Sequence, residues 1–213
     1  MRNRRTGFFF HWKHIIKAAL LSCLMVISTF CKKEDSLREI PQNIRLRTGD
    51  LLLRRGRSAE SRVIVTADNS TVYSHIGMLI WYDHQWCVIH TSPGENENNE
   101  PDRQKIEPYG LFFRMDRASR GQVLRMPIAE EDTLKLYNYS LFVNSYNPLF
   151  DNAFDACDTM QYYCSELICH IYQSALGIDL TQGLRHRFPF FHPLIYISDI
   201  SRYPGIEEIY KFD

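Results

Sequence analysis

No glycine-rich loop that cradles phosphate, no paired-cysteine knuckle, no two-histidine helix motif and no internal repeat occurs in these 213 residues. Their absence removes nucleotide-cradling, zinc-knuckle and repeat architectures. An excess of charge of one sign is missing too, because Lys+Arg and Asp+Glu both number 25. The balance is uneven along the chain: residues 1–30 hold five bases and no acid, which leaves 20 bases against 25 acids in residues 31–213, a net of −5. A mildly acidic body has no field for a polyanion, which argues against nucleic acid as a partner. At 45% hydrophobic and 23% charged, the composition also excludes a disordered tail, a collagen-like fibre and a polytopic membrane protein.

A disulfide framework is likewise not evident. Apart from Cys23 and Cys31, the cysteines are Cys87, Cys157, Cys164 and Cys169. Four thiols allow three pairings, and Cys164 and Cys169 lie five apart on one expected helix, pointing in different directions. No set of three or four ligands has the spacing of a zinc site, so neither metal nor cofactor is expected.

What is present begins with an address. Met1 to Lys17 is basic and leads into the apolar run from Ala18 to Phe30, too short for a comfortable membrane span and patterned like a secretory signal. The run stops at Cys31, before Lys32-Lys33-Glu34-Asp35. A cysteine at that junction resembles a bacterial lipoprotein signal, although Phe30 stands where a small residue is usual. Leu20-Leu21-Ser22-Cys23 fits the local pattern but leaves a shorter apolar run. An uncleaved anchor or a free secreted chain are the alternatives. The expectation is a signal segment over 1–30, lipidation at Cys31, a polar tether over 31–45 and one domain over 46–213 at a bacterial cell envelope. The 183 residues from 31 onward suffice for one core burying roughly 70% of the unfolded-chain surface.

Strands come first in the body, then helices. Leu51-Leu52-Leu53 after Gly49-Asp50 reads as a short buried strand, and 59–68 as a weak helix because of Val63-Ile64-Val65. Ser74 to Trp81 and Trp86 to Thr91 form a hairpin pattern about Tyr82-Asp83-His84-Gln85, followed by a polar loop over 92–105. Gln122 to Met126 reads as a further strand, and Leu134, Tyr137, Leu141 and Phe142 give Glu131 to Tyr146 helical spacing. From Cys164 to Leu176 an apolar stripe of Cys164, Leu167, Ile168, Ile171, Tyr172 and Ala175 ends at Gly177. Glu166 and His170 read as a solvated face, with Glu166 alternatively favouring the helix N-terminus, Trp81, Trp86, Tyr162 and Tyr163 as core aromatics, and Cys87, Cys157 and Cys169 as packing thiols. The class is α+β, an antiparallel sheet with helices packed against it.

Chemistry has one strong position. A thiol at a helix N-terminus meets unpaired N–H groups and the positive end of the dipole, which favour thiolate. Such a nucleophile needs a base and an orienting group. His75, at a strand start, is a candidate base for Cys164; His90, on the partner strand, can hold the His75 ring; and the Cys164 N–H can serve an oxyanion. The bland alternatives are a small core thiol and structural histidines.

Gly49 to Gly56, Ser74-His75-Ile76-Gly77 and Tyr163-Cys164-Ser165-Glu166-Leu167-Ile168 resemble, in that order, the motifs of the permuted papain-like, YiiX/YebB-like branch of the NlpC superfamily. The stretch from Asp151 to Phe154 is similar too, and the likeness spans residues 46–210. The resemblance implies a permuted papain-like fold, Cys164 as nucleophile, His75 as general base and the Cys164 N–H in the oxyanion hole. Where that family commonly carries an acidic third residue, this chain has His90, as lecithin retinol acyltransferase-like proteins do. The expected function is a cysteine hydrolase, an amidase or peptidase acting on cell-wall or other short peptides. Lipid ester hydrolysis or acyl transfer and a non-catalytic peptide-binding module are the alternatives, with a membrane-held interaction scaffold a third.

Overall fold

The computed structural model describes residues 37–95, 100–155, 160–187 and 193–213. The signal segment, Cys23, Cys31, residues 32–36 of the tether and Cys157 lie outside the described residues. Residues 38–213 form a compact unit, and among the described residues no helix is long and apolar enough to cross a membrane.

The class is α+β. Strands β1 (Leu51–Gly56), β2 (His75–Tyr82), β3 (Gln85–Thr91), β4 (Gln104–Pro108), β5 (Ala118–Arg125) and β8 (Glu207–Phe212) make one antiparallel sheet in the order β4-β3-β2-β1-β5-β8. A parallel pair, β6 (Leu149–Phe150) and β7 (Gln161–Tyr162), stands apart from it. The helices are α1 (Ala59–Ala67), α2 (Tyr109–Phe112), α3 (Asp132–Tyr146), α4 (Cys164–Leu176) and α5 (Ile197–Ser201).

Both faces of the sheet are covered, which explains three consecutive leucines in β1. Leu51 and Leu53 join Ile76, Met78 and Ile89 on one face, against Leu167, Ile168 and Ile171 of α4. Leu52 turns the other way, with Leu79, Val88 and Val123, beneath Phe112 and Phe113. A strand buried on both sides loses the polar half of its alternation. The β2–β3 hairpin closes at the Tyr82↔Gln85 pair through Asp83 and His84, both at positive φ (49° and 61°), the two-residue geometry that matches strand twist.

Several expectations change. The polar loop is shorter, because β4 begins at Gln104, and β8 has no counterpart in the sequence reading. Both are edge strands, polar and short as edges tend to be. Helix α3 buries Leu136, Ser140 and Val143 instead of the expected stripe, leaving Leu134 63% and Phe142 58% exposed. Ser140 tolerates burial because its hydroxyl donates to the Leu136 carbonyl at 2.8 Å. Trp81 is 48% exposed, edge-to-face with Trp86 at the hairpin tip, whereas Tyr162 and Tyr163 are buried. Glu166 is not on a solvated face: it is 6% exposed and accepts from the Tyr163 N–H at 3.4 Å, capping its own helix. His170 bonds Tyr139 at 3.0 Å and stacks on Tyr162. Cys87 and Cys169 are buried free thiols, as expected.

Candidate active site

Strand alternation puts Arg54, His75, His90 and Glu107 on the Phe112 side of the sheet. His90 pairs with Lys105 across β3 and β4, so Glu107 is its diagonal neighbour. The next diagonal step, across β3 and β2, reaches His75. Diagonal neighbours lie within reach of long side chains, and here they bond: His75 Nε2 to His90 Nδ1 at 2.9 Å, and His90 Nε2 to Glu107 Oε1 at 3.0 Å. The row crosses three strands and is buried.

This chain of bonds assigns the protons. Burial would raise Glu107, but its hydrogen bond with His90 and the neighbouring charges of Lys105 and Arg117 outweigh it and hold the carboxyl far below the ordinary range. As a carboxylate it only accepts, so His90 donates from Nε2 and offers a lone pair at Nδ1. His75 then donates from Nε2, and its Nδ1 keeps the free lone pair. Burial above all, then the Arg54 charge, pushes His75 well below its ordinary value, so the ring is neutral and basic at Nδ1. Burial lowers His90 as well.

A compensated charge cluster surrounds the row. Glu95 pairs with Arg54, with Lys105 at 3.1 Å and with Arg117 at 3.3 Å; Arg117 also bonds Glu107 at 3.0 Å. Burial would raise Glu95, yet Arg54 foremost draws it down to about 2. One ligand atom each from His90, Glu95 and Glu107 falls within 4.8 Å of the others, a spacing that would suit a metal. The residues do not fit one: Arg54, Lys105 and Arg117 already neutralise both carboxylates, and an added cation would face all three.

Cys164 arrives from the other side. It heads α4, which packs on the opposite face of the sheet, and its thiol meets the backbone of Ile76, the residue after His75. Among the described residues no hydrogen bond joins Cys164 to His75; the thiol meets the β2 backbone at Ile76, one residue beyond His75. The β2–β3 ladder starts at Met78↔Ile89, leaving Ile76 beyond it. Burial pushes the thiol up against the pull of the Ile76, Ser165 and Cys164 backbone N–H groups and of Arg54. The resting state is therefore a neutral thiol and a neutral imidazole, which differs from the thiolate that a helix N-terminus alone predicts.

Helix α1 borders both sides of the site. Ile64 lines a cavity of about 430 Å³ shared with His75, Arg54, Ser74 and Glu95, and also a smaller one that contains Cys164. Glu107, Glu95 and Arg117 escaped the sequence reading. Arg54 did carry a signal, a charge placed directly after three leucines in a strand. Glu107 carried none until β4 was placed beside β3.

A family model described as permuted papain-like amidase enzyme, YaeF/YiiX, C92 family, matches residues 45–185. Among solved structures, the chain is similar to one described as "Crystal structure of metalloprotein yiiX from Escherichia coli O157:H7, DUF1105". That match has a TM-score of 0.63 and 19% identity, over 78% of this chain and 97% of the other. Identity at that level shows a shared fold. No curated protein matches the chain.

Proposed function

The chain belongs to the permuted papain-like amidase family, and from that membership we propose that it is a cysteine hydrolase cutting amide bonds in short peptides. The observation that carries the reading is the Glu107–His90–His75 row, which leaves a lone pair on His75 Nδ1 beside the strand position where the Cys164 thiol lies. In this reading His75 Nδ1 takes the Cys164 proton as Sγ attacks the substrate carbonyl carbon. The Cys164 N–H, at the start of α4 where no intrahelical carbonyl takes it, donates to the developing oxyanion. His75 then passes its proton to the leaving nitrogen, the C–N bond breaks and a thioester remains. Water, deprotonated by His75 Nδ1, attacks that thioester; the C–S bond breaks, the acid departs and the proton returns to sulfur. Glu107 and His90 act as positioning residues that hold one tautomer through the cycle.

The similar protein from Escherichia coli O157:H7 is described as a metalloprotein. Here the charges around His90, Glu95 and Glu107 speak against a metal, and no step is routed through one. The basic head, apolar run and Cys31 of the sequence support export to a cell envelope and a lipid anchor there, which makes cell-wall peptides natural substrates.

The test is turnover of muropeptides beside acyl-ester and phospholipid substrates, by the full chain and its variants. Cys164→Ala and His75→Ala are expected to abolish amide cleavage. Glu107→Gln should lower kcat about 10²-fold with KM little changed, and should move the acid limb of the pH profile. Amide cleavage that survives Cys164→Ala would end the reading, and cleavage of esters alone would transfer it to lipid substrates.

A further inference from the structure

The larger cavity, about 430 Å³, lies on the His75 side of the site, within the roughly 300–1,000 Å³ of small-molecule sites. Its charged lining is three acids, Glu60, Glu95 and Asp116, and three arginines, Arg54, Arg57 and Arg117. The acids are all engaged. Asp116 accepts from Arg114 Nε at 2.6 Å and from Nη2 at 2.8 Å. Glu95 is shared by Arg54, Lys105 and Arg117. Glu60 turns back on the start of α1, where its own backbone N–H and then Ser58 lower its carboxyl.

The arginines keep donors to spare. Arg117 is committed to Glu95 and Glu107. Arg57 gives its Nε to the Met115 carbonyl at 2.8 Å, which holds the guanidinium at the cavity wall. Its two Nη groups have no partner among the described residues. Arg54 is 2% exposed. It donates from Nη1 to the Phe112 carbonyl at 2.8 Å and from Nη2 to Glu95, while its Nε is buried without a partner among the described residues. A buried donor with no acceptor is unfavourable and rare in natural structures. With Lys105, Arg114 and Glu107, which touch the lining charges from outside, the surroundings carry one positive charge in excess. Acceptors and negative charge are therefore what this cavity lacks.

Position says which acceptor. Arg54 stands directly opposite His75 in the β1–β2 ladder, which sets their Cβ atoms about 5 Å apart. We propose that the cavity receives the leaving side of the substrate and selects a single C-terminal amino acid by its free α-carboxylate, held by Arg54 and Arg57. This deepens the hydrolase reading and rests on it, because His75 is there the residue that protonates the leaving nitrogen. The α-carboxylate carbon lies two bonds from that nitrogen, so one residue spans from the cleaved bond to the guanidinium beside His75. The free Arg57 fork matches both oxygens of a carboxylate, and Arg54 Nε adds a third donor.

The test separates binding from turnover. Full-length Cys164→Ala protein in detergent micelles is titrated calorimetrically with N-acetyl-L-alanyl-L-alanine, with its C-terminal amide and with inorganic phosphate. The acid is expected to bind roughly 10- to 100-fold more tightly than the amide, the range of hydrogen bonds to a charged group, and more tightly than phosphate. Adding Arg57→Ala should lower the acid-to-amide ratio several-fold. Arg54→Lys keeps a cation for Glu95 but puts a methylene where Nε stands, and should lower the ratio too. Arg57 is exposed, so its variant carries the test if Arg54→Lys fails to fold. Equal binding of acid and amide, no binding of either, phosphate binding as tightly as the acid, or a preference that survives Arg57→Ala would overturn the proposal. In parallel, the unsubstituted chain is offered both dipeptides, and release of alanine or alaninamide is followed. Preference in binding without turnover upholds the carboxylate site and sinks the hydrolase reading. Turnover of both dipeptides without a binding preference does the reverse.

Discussion

The Cys164 thiol is pulled in two directions. Helix geometry supplies N–H groups from Ser165 and Cys164 itself, and Ile76 adds another from β2, all favouring the anion. Burial opposes them and wins, because a thiolate loses more hydration than three backbone dipoles return. His75 is displaced in the opposite sense for the same reason. Proton transfer from sulfur to nitrogen therefore belongs to the attack step and is not completed beforehand. Iodoacetamide labelling of Cys164 in the full chain should accordingly rise with an apparent pKa above the ordinary value of about 8.5. A labelling plateau reached below pH 7 would show a preformed ion pair and contradict the neutral resting state.

Between elements, close approach decides what each segment tolerates. Gly77 lies beneath His90: a Cβ there would come within 2.4 Å of Val88 Cγ1 and 3.1 Å of His90 Cβ. The glycine of Ser74-His75-Ile76-Gly77 is thus required above all by the close approach of Val88, with the second histidine next. Gly77→Ala should destabilise the fold by about 1–3 kcal/mol and lower activity by displacing His90, measured by urea unfolding beside turnover. A neutral effect on both would remove this account of the motif. Helix α3 gives a second contrast. Leu136→Ala opens a cavity under α4 and should cost about 2–5 kcal/mol, while Leu134→Ala, on the solvent side, should stay within about 0.5 kcal/mol. Thermal melts of the two variants check the face on which α3 packs.

For the whole molecule, the buried charge row makes stability depend on pH in one direction. His75 and His90 have lowered pKa values in the fold, foremost through burial. Below about pH 6.5 the unfolded chain takes up protons that the folded rings refuse, so stability falls as pH drops through that value. Glu95 is held at about 2 against an ordinary 4.5. Its contribution is complete above 4.5 and is lost as pH falls toward 2, and Glu107 adds to it in the same sense. Urea midpoints should decline from pH 7 to pH 3, by on the order of 3 kcal/mol in total. A flat profile over pH 7 to 4 would contradict neutral buried histidines.

Local pattern alone determined much of this protein. The leucine triplet, the hairpin around Asp83 and His84, the Cys164 helix ending at Gly177 and the order of the three motifs are all written in neighbouring residues. Backbone periodicity and turn chemistry act over a few positions, so these were legible, as were Cys164, His75 and His90 as candidates. Other features waited for tertiary structure. Strands β4 and β8 are polar edges whose pairing depends on partners distant in the chain. Leu136 is buried and Leu134 is not because α4 lies on one side of α3. Glu107 joins His90 only through the β3–β4 register, and the neutral state of the Cys164 thiol follows from burial. Each depends on contacts between residues far apart in sequence, where the free energy of packing and desolvation is set by what surrounds a side chain and not by its neighbours along the chain.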